Sequence, residues 1–111
     1  TFAAARMPPP LAALTAPWQP ALLELMAIAA RAGQTAGKPV GVCGEAAADP
    51  LLACVLTGLG ITSLSSAGTA APLVGAKLST VTLEQCQQAA EAALAASTPE
   101  AAREAARAIT G

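Results

Sequence analysis

The chain contains no histidine and no tyrosine, and only one tryptophan and one phenylalanine among 111 residues. Without histidine it can form no Ser-His-Asp triad, no His-ligated metal site and no phosphohistidine of its own. Charge is equally scarce. Only 12% of the residues are charged, six basic against seven acidic, for a net charge of −1. No basic cluster exists, so nucleic-acid binding through phosphate contacts is not expected. No run of strongly apolar residues is long enough for a transmembrane helix, and TFAAARMPPP has neither the apolar stretch nor the cleavage pattern of a signal peptide. The three cysteines, Cys43, Cys54 and Cys86, are odd in number and lack CxxC spacing. They suggest neither a disulfide framework nor a zinc site, and a reduced, cytoplasmic setting is expected.

What is abundant is apolar: 54% of the residues, with a mean hydropathy of +0.54. A disordered chain is excluded. Much of that fraction is alanine, which buries little area per residue, so burial yields less than the percentage implies. The length allows one domain.

Residues 1–17 are rich in Pro and Ala and read as an incoming loop. The spacing of Leu22, Leu25, Met26, Ile28 and Ala29 predicts a helix from about Pro17–Pro20 to Ala32, closed by Gly33. KPVGVC (38–43) reads as a buried strand. Asp49-Pro50 is a helix start, a capping carboxylate followed by Pro at the first helical position. That helix should run to about Thr57 and stop at Gly58 and Gly60. ITSLSS (61–66) reads as a second buried strand, and Pro72–Leu78 as a short helix. Thr82 and Gln85 have capping-box spacing for a helix through Ala96. Thr98-Pro99-Glu100 starts a last helix within 97–111, on which Glu104 and Arg107 can pair. Strands alternating with helices imply parallel pairing. Two such strands need neighbours on both edges, and a (β/α)8 barrel takes about 250 residues. The expected fold is therefore α/β, the C-terminal fragment of a (β/α)8 TIM barrel with its last two parallel strands and flanking helices. The absence of an initial Met fits a cut or processed beginning.

Cys43 falls at the carboxyl end of the first predicted strand, before Gly44, where parallel α/β proteins place catalytic groups. A thiol stays mostly protonated at neutral pH, and an apolar pocket would hold the proton more tightly. It could then act as a general acid toward a substrate carbon. The plainer alternative is a small buried hydrophobe. Asp49 is most simply a cap, Cys54 and Cys86 are core residues, and Glu45, Ser65 and Ser66 read as satisfied polar groups. Trp18 reads as a packing anchor, unless exposed, when it would mark an interface.

GVCGEAAAD, then GLGITSLS, then P-x-x-x-A-K-L and the tail LEQCQQAAEAALAASTPEAAREA together resemble the C-terminal end of the Enzyme I family of the bacterial phosphoenolpyruvate:sugar phosphotransferase system. The resemblance extends to TFAAAR and LAALTAPWQPALLELM. It implies a barrel domain that binds phosphoenolpyruvate (PEP) and Mg²⁺ and mediates dimerisation. Phosphate would pass from PEP to a histidine on another domain of the parent enzyme and then to the carrier protein HPr. The resemblance makes Cys43 the acid that protonates C3 of enolpyruvate, and Arg6 a substrate phosphate ligand whose fork of N–H donors suits phosphoryl oxygens. It places the magnesium carboxylates upstream of Thr1. Ala5, Ala48 and Ala67 depart from the family's Asp, Gly and Ser. Alone, the chain is expected to be inactive and to cover its open strand edges by self-association. The alternative is a free-standing, non-catalytic binding or oligomerisation module derived from this domain.

Overall fold

A computed structural model describes residues 16–65 and 70–111. Within these, a 3-10 turn, Ala16–Trp18, leads into helix α1, Pro20–Ala36. Strand β1, Gly41–Cys43, is followed by two helices, α2 (Glu45–Ala48) and α3 (Pro50–Leu59), and by strand β2, Ser63–Ser65. Three helices close the chain: α4 (Ala70–Leu78), α5 (Leu83–Ala95) and α6 (Pro99–Thr110). The result is a helix-rich α/β arrangement with two parallel strands.

The strands pair in register Gly41↔Ser63, Val42↔Leu64 and Cys43↔Ser65. Thr62 extends the ladder by one step: its N–H and its hydroxyl both donate to the Val40 carbonyl, at 2.9 and 3.1 Å. At the other end the Gly44 N–H donates to the Ser65 carbonyl at 3.1 Å. Both strands are shorter than 38–43 and 61–66, and neither is buried as expected. Val42 and Leu64 are half-buried, while Gly41, Cys43, Ser63 and Ser65 are exposed. The period-two alternation turns Val42 and Leu64 toward the helices and leaves the opposite face, small and polar, uncovered. A strand is enclosed only when both its faces have neighbours, and among the described residues helices cover one.

Helix α3 is the centre of the molecule, with Leu51 through Leu56 all buried. Around it pack Leu23 and Ala30 of α1, Ala89, Ala90 and Ala93 of α5, and Ala102 and Ala106 of α6. Alanine thus serves here at helix crossings, where it permits close axial approach. The caps follow the sequence closely. Asp49 Oδ1 accepts from the N–H groups of Leu51 and Leu52 at 3.0 and 3.3 Å. Thr82 and Gln85 make the reciprocal box, at 3.1 and 2.9 Å. The Thr98 hydroxyl accepts from the Ala101 N–H at 3.1 Å, and Arg107 meets Glu104 at 3.2 Å on the surface. The last carbonyls of α6 have a partner that the local pattern does not reveal. Lys77 Nζ of α4 donates to Thr110 and Gly111 at 2.8 and 2.9 Å, placing a cation at the negative end of the helix.

Three expectations need correction. Helix α1 continues past Gly33 to Ala36 and ends at Gly37, in the left-handed region at φ 69°. Gly33 has a different purpose, because a side chain there would overlap Val40. Second, the anticipated apolar stripe of α1 is its buried face only at Met26, which packs against the core. Leu23, Ala27 and Ala30 face the core, whereas Leu25 and Ile28 are 63% and 53% exposed. Third, α3 runs through Gly58 to Leu59. Gly58 lies inside the helix because α5 crosses it so closely that a Cβ would overlap the Cys86 carbonyl.

That crossing makes the sign of one substitution diagnostic. In a free helix Gly→Ala gains up to about 1 kcal/mol of propensity. At Gly58 the overlap is with backbone, which cannot rotate away, and overpacking of this kind costs about 1–3 kcal/mol. Gly58→Ala should therefore lower the urea midpoint of the unfolding transition that includes α3. A raised midpoint would show that the crossing is looser than described.

Candidate active site

Cys43 is the last residue of β1, and its register partner Ser65 is the last of β2. Because the strands are parallel, a thiol and a hydroxyl stand side by side at their carboxyl ends, both exposed on the uncovered face. The apolar enclosure expected for Cys43 is not formed by the described residues. Its location at a carboxyl edge is the one that α/β proteins use for ligands, because the loops that follow the strands converge there.

The turn after Cys43 is made by Gly44 at φ 93°, ψ −151°, a backbone region open essentially to glycine alone. Nothing lies within 4 Å of a Cβ built there, so conformation, not space, demands the glycine. The turn then winds into the single-turn helix α2, which sequence periodicity does not reveal because four residues hold no repeat. At its end stands Asp49, and here the two oxygens divide their work. Oδ1 caps α3, and Oδ2 accepts from the indole N–H of Trp18 at 3.1 Å. The segment from Cys43 to Asp49 is therefore tied at both ends, to β2 through Gly44 and to α3 and the 3-10 turn through Asp49.

Trp18 is fully buried, which makes it an anchor and not an interface residue. A buried indole needs an acceptor, and that need is legible in the sequence. Its identity as a residue 31 positions away is not. Cys54 and Cys86 are buried as expected. Arg6 and Ser66 lie outside the described residues. Sequence reasoning missed the register that sets Ser65 opposite Cys43, as it missed helix α2 and the Trp18–Asp49 hydrogen bond.

Among the described residues no group of three or more His, Cys, Asp or Glu side chains could hold the magnesium ion that the family resemblance implies. Nor is any described helix long and apolar enough to cross a membrane.

A parallel strand pair with its exposed thiol at the carboxyl edge, before a glycine-made turn, is the layout of an α/β enzyme site. Residues 1–83 match the model of the PEP-binding domain of PEP-utilising enzymes, and the chain belongs to that family. It is 58% identical over 109 residues to a phosphoenolpyruvate-protein phosphotransferase of Streptomyces coelicolor, covering 98% of this chain and 20% of that protein. The protein of the same name from Bacillus subtilis is 33% identical over 100 residues, covering 90% of this chain and 18% of its own length. A multiphosphoryl transfer protein of Xanthomonas campestris is 38% identical over 98 residues. The chain thus spans about a fifth of the curated relatives it matches most fully.

Proposed function

We propose that the chain is the C-terminal part of the PEP-binding (β/α)8 barrel of a phosphoenolpyruvate-protein phosphotransferase, and that Cys43 is its proton donor. The observation that carries this reading is the exposed Cys43 thiol at the carboxyl edge of a parallel pair, in a chain that matches the family's PEP-binding domain. In the intact polypeptide the remaining strands of the barrel continue the two free edges of the β1–β2 pair. The small, polar face bearing Gly41, Cys43, Ser63 and Ser65 then lines the barrel's interior. The exposed Leu22, Leu25 and Ile28 of α1 take part in contacts with the rest of the domain or with a second copy in the dimer.

The chemistry assigned to this chain is one proton transfer. Loss of the phosphoryl group from PEP leaves the enolate of pyruvate. The Cys43 S–H gives its proton to C3 as the C2 carbonyl forms, leaving a thiolate and pyruvate. Arg6 holds a phosphoryl oxygen pair by its guanidinium fork. The phosphate acceptor must come from elsewhere, since the chain has no histidine, and HPr is the carrier that receives the phosphate next. Mg²⁺ ligands likewise belong to other parts of the polypeptide, and no step described here runs through the ion. The setting is cytoplasmic. The 111 residues alone do not phosphorylate HPr, because substrate, acceptor and acid are not held together.

Substrate protection tests the assignment. In the intact polypeptide with Mg²⁺, PEP should slow iodoacetamide alkylation of Cys43 at least about tenfold, because bound substrate covers the edge where the thiol stands. An alkylation rate indifferent to saturating PEP would remove Cys43 from the site.

A further inference from the structure

Helices α3 and α5 approach closely where Gly58 meets the Cys86 carbonyl. One turn earlier on the same face of α3 lies Cys54, so the crossing brings the Cys54 and Cys86 thiols near one another, and each perturbs the other. The Cys54 S–H donates to the Pro50 carbonyl at 3.6 Å. Both cysteines are buried and reduced. The chemistry proposed for Cys43 uses neither of them.

We propose that Cys54 and Cys86 are a redox site: a peroxide converts them to a disulfide that staples α3 to α5. Two neighbouring thiols at a crossing where a glycine admits the facing backbone need a modest rearrangement to come within bonding distance. Cys86, whose upward shift by burial is partly offset by the neighbouring Cys54, is the attacking sulfur. Its thiolate attacks one oxygen of hydrogen peroxide, the O–O bond breaks, and hydroxide leaves and takes up a proton. Cys86 is then a sulfenic acid. The Cys54 sulfur attacks the Cys86 sulfur, the S–O bond breaks and the S–S bond forms. The departing hydroxide takes the Cys54 proton. Overall the two thiols lose two electrons and two protons, and hydrogen peroxide becomes two molecules of water.

The same burial sets the speed. Desolvation, and then the neighbouring Cys86 sulfur, push the Cys54 thiol up to about 11, although nearby Lys77 pulls the other way. Burial also raises Cys86, partly offset by the neighbouring Cys54. The thiolate is the reactive form, so the bridge forms slowly at neutral pH and faster as pH rises. The staple closes the chain between the two helices. It restricts the unfolded ensemble and makes the oxidised protein harder to unfold.

The test uses the intact polypeptide, reduced, with Cys43 first alkylated in the native state so that it cannot exchange. After hydrogen peroxide, the protein is denatured in N-ethylmaleimide, digested with trypsin and mapped without reduction. The expected product joins the peptide 32–77 to the peptide 78–103 through Cys54 and Cys86, two hydrogens lighter than the free pair. It disappears on reduction and in Cys86→Ala. The oxidised wild-type protein should also melt several degrees above the reduced form, a shift that needs no variant. Both cysteines recovered as maleimide adducts, with unchanged melting, would overturn the proposal. So would either sulfur driven to higher oxidation states without a bridge.

Discussion

Cys43→Ala in the intact polypeptide is expected to slow pyruvate formation by about 10²–10⁴-fold, the usual contribution of a positioned general acid. That range corresponds to about 2.7–5.4 kcal/mol of barrier. PEP binding should change by no more than a few-fold, because the thiol meets C3 only as the proton moves and contributes little to holding the ground state. The two readouts separate the roles. Loss of kcat with KM retained marks a proton donor, whereas parallel loss of binding would mark a residue that shapes the pocket. Cys43→Ser sharpens the test, since a hydroxyl matches the thiol in shape but gives up its proton far less readily. Unchanged turnover in Cys43→Ala would end the assignment. Collapse of the loop cannot imitate the expected result, because the turn is held by Gly44 and Asp49, not by the thiol.

The second large effect is structural and lies at Trp18. Trp18→Ala removes the largest fully buried side chain from the core cluster and should cost about 3–5 kcal/mol. Domain stabilities are about 5–15 kcal/mol in total, so the α1–α3 region of the variant should lose most of its protection against hydrogen exchange. Trp18→Phe separates volume from hydrogen bonding. It retains an aromatic ring but leaves Asp49 Oδ2 without the indole donor that now lies at 3.1 Å. That loss is worth about 1 kcal/mol, and its readout is local. The amides of Leu51 and Leu52, which Asp49 caps, should exchange faster while α5 and α6 stay as protected as before. Equal exchange in Trp18→Phe and wild type would mean that Asp49 holds its place without the indole.

Most helix starts of this chain were legible because they are local chemistry. Asp49-Pro50, Thr82 with Gln85, and Thr98-Pro99 each place a side-chain oxygen within three residues of the N–H groups it satisfies. No tertiary partner is needed, and all three stand where the sequence puts them. Glycine was read less well because it has two unrelated uses. Gly37 and Gly60 end helices through positive φ. Gly33 and Gly58 lie inside helices to admit Val40 and the Cys86 backbone. A sequence shows the residue but not which of these its neighbours require.

The face of α1 was read incorrectly for a related reason. Periodicity finds the stripe in which Leu22, Leu25 and Ile28 together outweigh Leu23, Ala27 and Ala30, and of that stripe Met26 packs against the core. The core chose the slimmer face, because alanine lets α1 lie close to α3 and α5. The bulkier face is left for the contacts proposed with the rest of the domain.

At the site, the sequence by itself determined three things: a thiol at the end of a strand, a glycine immediately after it, and a capping aspartate at the start of the next long helix. These follow from residue types within a few positions of one another, where chain geometry leaves little choice. Only the tertiary structure decided that Ser65 stands beside Cys43, that Trp18 locks Asp49 from 31 positions away, and that Cys54 and Cys86 meet at the same helix crossing. Those pairings depend on strand register and on how closely two helices cross. Both are set by the packing of the whole core, which no local pattern encodes.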